Sequence, residues 1–407
     1  MTGMSAGPLT LDATFGDWGR VTSRFFSQVS AIALDASGRI VVGGSRPRGS
    51  YADFAIARYK PDGSLDGAFG GGGQVSIEFP MLGSVNRCHA VAIDREGRIV
   101  AAGSTEASGH DDFAVARLKP DGRLDETFGW HGLVSTDLSG QDKDDVARAI
   151  AIDDDGRIIL AGYAASRFAL ACYGPDGSLT PTFGAGGLVT TAFGEGSYDI
   201  ANAVVIGSAG RIVAVGETDA AGTMDFALAR YTPDGTLDAT FGTDGRVTTD
   251  FSGGESYDKA YAMALDADSR IIAAGVTSPD HEFDFALARY APDGRLDSSF
   301  GAGGLATTHL SGPAGQDEAH ALVVSADGRI VVAGTSIESD EGVLGSTYLS
   351  LVRYDSHGRL DEGFGTGGVA ATAIAGNYPE VALDDEARIL LAAATEDGLV
   401  LARYLTA

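Results

Sequence analysis

One unit, written seven times with small variations, fills this chain of 407 residues. It runs L-D-x-T-F-G-x-G-G-x-V-x-T, then A-x-A-I-A-L-D-x-x-G-R-I-V-V-A-G, then D-F-A-L-A-R-Y-x-P-D-G. Its copies start at Leu11, Leu65, Leu124, Leu179, Leu237, Leu296 and Leu360, giving units 11–64, 65–123, 124–178, 179–236, 237–295, 296–359 and 360–407. A repeat of this length, built of strand-sized pieces, folds as a closed or stacked array. Length alone suggests two or three domains; the repeat overrides that, because one ring can take the whole chain. The 58 glycines fit a protein dense in turns.

Each unit holds four runs of strand length bounded by Gly, Pro and Asp. In the first copy they are Ala31–Leu34, Arg39–Gly44, Phe54–Tyr59 and a fourth within 65–77. Two links are tight. L-D-A-S-G-R (34–39) joins the first run to the second, and Y-K-P-D-G (59–63) joins the third to the fourth. Pro fixes one φ and Asp-Gly tolerates positive φ, which is hairpin chemistry. The expected fold is therefore all-β: a single seven-bladed β-propeller with four-stranded antiparallel blades. The A-x-A strand should lie innermost, where small side chains suit the crowded axis. Phe15, Phe69, Phe128, Phe183, Phe241, Phe300 and Phe364 should pack between blades. The last unit stops after its third strand, and 11–26 is a fourth strand with no blade before it. Pairing them closes the ring and removes two edges. The outer strand centres on L-D-x-x-F-G or on G-x-V-x-T; the pattern leaves both open.

L-D-A-T-F-G-T-D-G-R-V-T-T-D-F (237–251), S-R-I-I-A-A-G (269–275) and D-F-A-L-A-R-Y-A-P-D-G (284–294) resemble the bacterial delta-60 repeat. The resemblance covers nearly the whole chain and implies a β-propeller. It brings no established chemistry or site residues.

Charge narrows the partners. The formal net charge is −27, and the four lysines, at 60, 119, 143 and 259, make no basic stripe. Nucleic acid and anionic membranes are disfavoured. No stretch approaches the ~18 apolar residues of a span. The start MTGMSAGPLTLDATFG has neither the basic end nor the apolar core of a signal peptide, so a cytoplasmic location is expected. Cys88 and Cys172 follow no pattern and read as free, buried thiols. A monomer is expected.

Function should sit where the copies stop agreeing. The tight turns hardly vary, so one face of the ring is uniform. The longer links, including 45–53, 217–225 and 335–347 between second and third strands and 78–88, 192–201 and 250–260 leading into the inner strands, form the other face, the usual binding surface of a repeat fold. One position stands out. The x of A-x-A reads Ser30, His89, Arg148, Asn202, Tyr261, His320 and Pro379 between near-constant alanines, with Glu380 replacing an alanine beside the last. Six kinds of residue in seven copies of one repeat position read as a ring facing a ligand space; solvated channel lining is the plain alternative.

The carboxylates of L-D (Asp12, Asp66, Asp125, Asp238, Asp297, Asp361) should pair with strand arginines or cap turns. Asp53, Asp112, Asp225 and Asp284, ahead of the third strand, should bond loop amides. Asp142, Asp144 and Asp145 imitate a calcium loop but lack its glycine. His320 with Glu380 is the one pair that could hold a divalent ion; no cofactor is otherwise expected. G-x-S-x-G, P-loop, H-E-x-x-H and C-x-x-C motifs are missing. The expected function is a non-catalytic recognition scaffold for a protein, peptide or glycan, bound on the variable face and channel mouth, around Ile337, Val343 and Leu344 among others. The alternative is a lyase or hydrolase in which Arg148 neutralises a small anionic ligand and His89, Tyr261 or His320 moves protons.

Overall fold

The computed structural model describes residues 9–80, 84–106, 109–140, 143–253, 256–278, 282–311, 315–340 and 343–406, without the side chains of 338–340, 343, 344 and 346. Seven antiparallel sheets follow one another along the chain. Their first strands are Gln28–Leu34, Asn86–Ile93, Asp145–Ile152, Asp199–Ile206, Lys259–Leu265, Gln316–Val324 and Asn377–Leu383. Each packs against the next, and Asn377–Leu383 packs against Gln28–Leu34, so these strands form the innermost ring. The ring is zipped by its ends as expected: Gly398–Leu405 pairs with Arg20–Ser23 and with Thr10–Leu11.

The outer strand is the G-x-V-x-T piece, which settles the point that the pattern left open. Arg246–Thr249, for example, pairs with Phe226–Ala229. The L-D-x-x-F-G piece makes a single bridge, Tyr231 to Leu237, and then turns. It turns because its Asp accepts the amide two residues on, as Asp238 does from Thr240 at 3.0 Å.

Sequence and burial agree strand by strand. Second and third strands such as Ile271–Thr277 and Asp225–Tyr231 are covered on both faces, hence their continuous apolar runs. Seven apolar clusters result, one at each blade junction, including the junction where Phe15, Val42 and Ala55 meet Leu390 and Leu401. The seven phenylalanines are buried in them, each contributing about 2–3 kcal/mol of apolar burial. Cys88 and Cys172 are buried and unbridged.

The arginine of A-R-Y clamps one blade to the next at the tight-turn face. Arg58 Nε donates to Asp66 Oδ2 at 2.9 Å, Nη1 donates to the Pro120 carbonyl of the following blade at 2.6 Å, and the guanidinium lies 4.6 Å from the Phe69 ring centre. Arg117, Arg230, Arg289 and Arg403 repeat this; Arg403 holds Asp12 and the Pro61 carbonyl, and so spans the ring closure. Cys172 takes the arginine's place in the third blade, where Arg157 Nη1 reaches the Pro233 carbonyl at 3.3 Å instead.

Candidate functional site

The variable position of A-x-A is the extra residue of a β-bulge. In the fourth blade Ala201 faces Gly216 and Ala203 faces Val215, which leaves Asn202 without a cross-strand partner. Ser30, His89, Arg148, Tyr261 and His320 are skipped in the same way. A bulge re-aims a side chain. Ala147 joins the apolar cluster on one side of its blade and Ala149 the cluster on the other. Arg148 between them joins neither and lies exposed at the axis.

The bulge also explains the glycine that closes I-V-V-A-G. It drives the carbonyl two residues upstream onto the second strand. A Cβ on Gly216 would lie 1.8 Å from the Ile200 carbonyl oxygen, and Gly44, Gly103, Gly162, Gly275 and Gly334 meet the same obstacle. The seventh blade has Ala393 there, and its bulge differs. Asn377 faces Ala394 and Glu380 faces Ala392, so Tyr378 and Pro379 are both skipped. Pro379, read from the sequence as the seventh ring member, is buried; Tyr378, held at φ 48°, is the exposed side chain that turns to the axis side.

Five of these side chains form a touching pair and a touching trio, joined through the Ala260 backbone carbonyl. Arg148 Nη1 donates to Asn202 Oδ1 at 3.1 Å, and Asn202 Nδ2 donates to the Ala260 carbonyl at 2.9 Å. Next along, the Tyr261 ring stacks on His320 with centroids 5.5 Å apart and planes at 28°. Tyr378 meets the other side of His320 edge-on at 5.1 Å. Arg148 also lies over the Tyr163 ring at 5.6 Å. Ser30 sits at its ring position with no described contact to the others; Glu380 pairs with Ala392 in the place of the flanking alanine, so it is not one of the unpaired ring residues.

Burial at this mouth shifts the titrating groups. It lowers His89 to about 4, helped by the positive charges of Arg148 and Arg87. Burial alone lowers His320 to about 4. Both histidines are therefore neutral at pH 7. Burial pushes Glu380 up to about 8 and Glu318 above the usual carboxylate range. Tyr261 is raised by burial and by the Glu318 and Glu217 carboxylates. His320 Nε2 is engaged by Thr335 Oγ1 at 3.1 Å and faces Glu318 at 3.7 Å. Among the described residues neither His320 nor Glu380 belongs to a cluster of three ligating groups.

Several neighbours escaped the sequence reading. Lys259 Nζ pairs with Glu217 at 3.0 Å and lies 4.7 Å from the Tyr257 ring centre. Arg87 bridges Glu106 at 3.1 Å and Asp111 at 3.3 Å. Tyr198, Tyr257 and Tyr378 are exposed on the same long-link face. Their signal was present: each is an aromatic or charge that departs from the repeat beside an inner strand.

Other expectations fared differently. The L-D carboxylates do pair with strand arginines and cap turns. The group before the third strand does not behave as one. Asp53 binds Arg48 at 3.0 Å, Asp284 binds His309 at 2.7 Å, and Asp225 Oδ1 has no hydrogen-bond partner among the described residues. Asp145 caps the amides of Leu138 and Ser139 at 2.6 and 2.9 Å, while Asp142 lies outside the described residues. In the inserted hairpin Ile337 is half-buried, and the side chains of Val343 and Leu344 lie outside the description. Cavities of about 340 and 280 Å³ open at the tight-turn face, lined by Arg211, Arg230 and Asp293 and by Arg329, Arg353 and Ala387, away from the ring. No helix of the described residues is long and apolar enough to cross a membrane.

Residues 36–69, 97–128, 154–183, 209–241, 267–300 and 325–364 match the model of a family described as a domain of unknown function (DUF5122) β-propeller. The chain carries the repeats of a β-propeller family of unknown function. Each match to a DUF5122 repeat runs from the first tight turn to the F-G of the following unit, so it covers the clamped face and leaves out the bulge. No curated protein matches the chain in sequence. Similar solved structures include a Lactobacillus plantarum protein (15% identity, TM-score 0.47, covering 78% of this chain and 83% of its own). Sqt1 from Chaetomium thermophilum is 13% identical (TM-score 0.46; 94% and 97% covered), and the polysaccharide lyase Uly1 is 11% identical (TM-score 0.46; 96% and 92% covered).

Proposed function

We propose that this propeller is a non-catalytic recognition module that binds its ligand at the axial mouth of the long-link face. The observation that carries the reading is the bulge ring. One repeat position is freed from pairing in every blade, and it varies between Ser30, His89, Arg148, Asn202, Tyr261 and His320, with Tyr378 in the seventh blade. Two sectors differ in character. Blades two and three present Arg87, Arg148 and Tyr163. Blades four to seven present Tyr257, Tyr261, His320 and Tyr378 with the carboxyls of Glu217 and Glu318. Stacked aromatic faces beside carboxyl acceptors suit a glycan or a short peptide with flat and hydroxylated groups.

A second reading is an acid–base enzyme, favoured by Glu380, whose pKa of about 8 is that of a carboxyl held protonated at neutral pH. It ranks lower because the ring side chains pair with one another rather than converge on one reacting point, and the cavities above lie elsewhere. A screen of glycans and peptides against the intact protein separates the two. Saturable binding without turnover, lost in Tyr378→Ala and Tyr261→Ala, supports recognition; product formation lost in Glu380→Gln supports the enzyme.

A further inference from the structure

Five blade junctions bring the same three repeat positions together, and they solve one electrostatic problem in different ways. The positions are the first residue of D-F-A, the residue after V-x-T, and the residue that leads into the next inner strand. At the first junction they are Asp53, Glu78 and Asn86, and Arg48 sits between the acids, 3.0 Å from Asp53 and 2.8 Å from Glu78. At the third, Arg167 and Ala192 replace two acids, and Asp199 is satisfied by Ser197 and Thr218 at 2.8 and 2.5 Å. At the fifth, His309 stands between Asp284 and Asp317, at 2.7 and 3.9 Å, and Asp284 holds it above the usual histidine range.

The fourth junction has three carboxylates and, among the described residues, no such cation. Asp225, Asp250 and Asp258 offer ligand atoms within 4.8 Å of one another. Asp225 is 3% exposed and Asp258 fully buried. Asp225 Oδ1 is enclosed with no hydrogen-bond partner among the described residues. The link from 250 to 258, Asp-Phe-Ser-Gly-Gly-Glu-Ser-Tyr-Asp, contains no basic residue. Lys259, the next one, is committed to Glu217. A buried carboxylate facing two others without a donor is costly unless something positive meets it.

We infer that Asp225, Asp250 and Asp258 bind a divalent, oxygen-preferring cation of the calcium class. Three hard carboxylate donors with water completing the shell are what such an ion takes. Oxygens bound about 2.4 Å from one centre lie up to about 4.8 Å apart, and the ligand atoms of this trio lie within that limit. The ion does the work of Arg48 and His309 at the sister junctions. It ties the link that carries Tyr257 to the two blades beneath it. The trio Asp112, Asp137 and Asp145 holds the same positions at the second junction; there Asp145 has both oxygens hydrogen-bonded, so it is the weaker candidate.

The test uses the full chain, stripped with chelator and titrated with CaCl₂ and MgCl₂ by calorimetry and thermal melting. Calcium should raise Tm by about 2–5 °C at saturation, with magnesium at least tenfold weaker. Asp225→Asn should lower the calcium stoichiometry by one. Should that variant fail to fold, Asp250→His installs the internal cation of the fifth junction and should remove the same equivalent of calcium while keeping the fold. A wild-type protein that binds no calcium at millimolar concentration, or a stoichiometry unchanged in these variants, overturns the assignment.

Discussion

The two faces of this ring are built from the same seven copies yet obey different constraints. On the tight-turn face Arg58, Arg117, Arg230, Arg289 and Arg403 each hold a carboxylate, a phenylalanine and the next blade's carbonyl. Where the aspartate is kept the arginine is kept, because losing it alone would strand a buried charge; the third blade, with Cys172 for the arginine, also has Thr180 for the aspartate. On the long-link face the bulge frees one side chain per blade from pairing and from the apolar clusters. Neither the pairing nor the apolar clusters fix its identity, and it varies from blade to blade. Uniformity on one face and diversity on the other are thus two outcomes of a single distinction: whether a side chain is used by its neighbours.

The sharpest way to break that distinction is to attack the bulge itself. Gly216→Ala places a Cβ on the Ile200 carbonyl and should cost about 3 kcal/mol or more. Ala393→Gly, in the blade whose bulge differs, should cost less than about 1 kcal/mol; equal losses in urea unfolding would refute the bulge as the reason for the glycine. Next is the clamp. Arg403→Ala strands Asp12, which is 5% exposed, across the ring closure, and should cost about 3 kcal/mol in the same measurement.

On the other face, Glu380→Gln tests burial at the mouth. The folded chain keeps the Glu380 proton up to about pH 8, whereas the unfolded chain releases it in the ordinary glutamate range. The wild type therefore loses stability from this group as pH rises between those limits. The variant should match wild type near pH 5 and exceed it by several degrees in Tm at pH 8–9; a gap that does not grow with pH contradicts the assignment. The smallest effect belongs to the uniform face. Ala387 sits at φ 59° where Gly38, Gly97, Gly156 and Gly328 occupy the sister turns, so Ala387→Gly should gain up to about 1 kcal/mol.

The ring of blades was legible because strand lengths, P-D-G turns and the unpaired first and last pieces all pointed one way. The bulge ring was half legible. Varied residues between near-constant alanines gave its place, but a bulge is a register event that local pattern does not state. Its one clue was Ala393, the missing glycine in the same blade as Tyr378-Pro379, and Pro379 was accordingly mistaken for the side chain that Tyr378 supplies. The carboxylate junctions were hidden differently. Asp225, Asp250 and Asp258 belong to three segments and two units, and only the topology brings them together. Read singly, Asp225 looked like a loop-capping residue.

Binding at the mouth is tested most directly by printing glycans and short peptides on an array, probing with the intact protein, and repeating with Arg148→Ala, Tyr261→Ala and Tyr378→Ala. The account predicts that ligands held by the wild type are lost at least tenfold in each variant while Tm moves by no more than about 2 °C. Retention of those ligands by all three variants, with the fold intact, would place recognition away from the bulge ring and contradict the account.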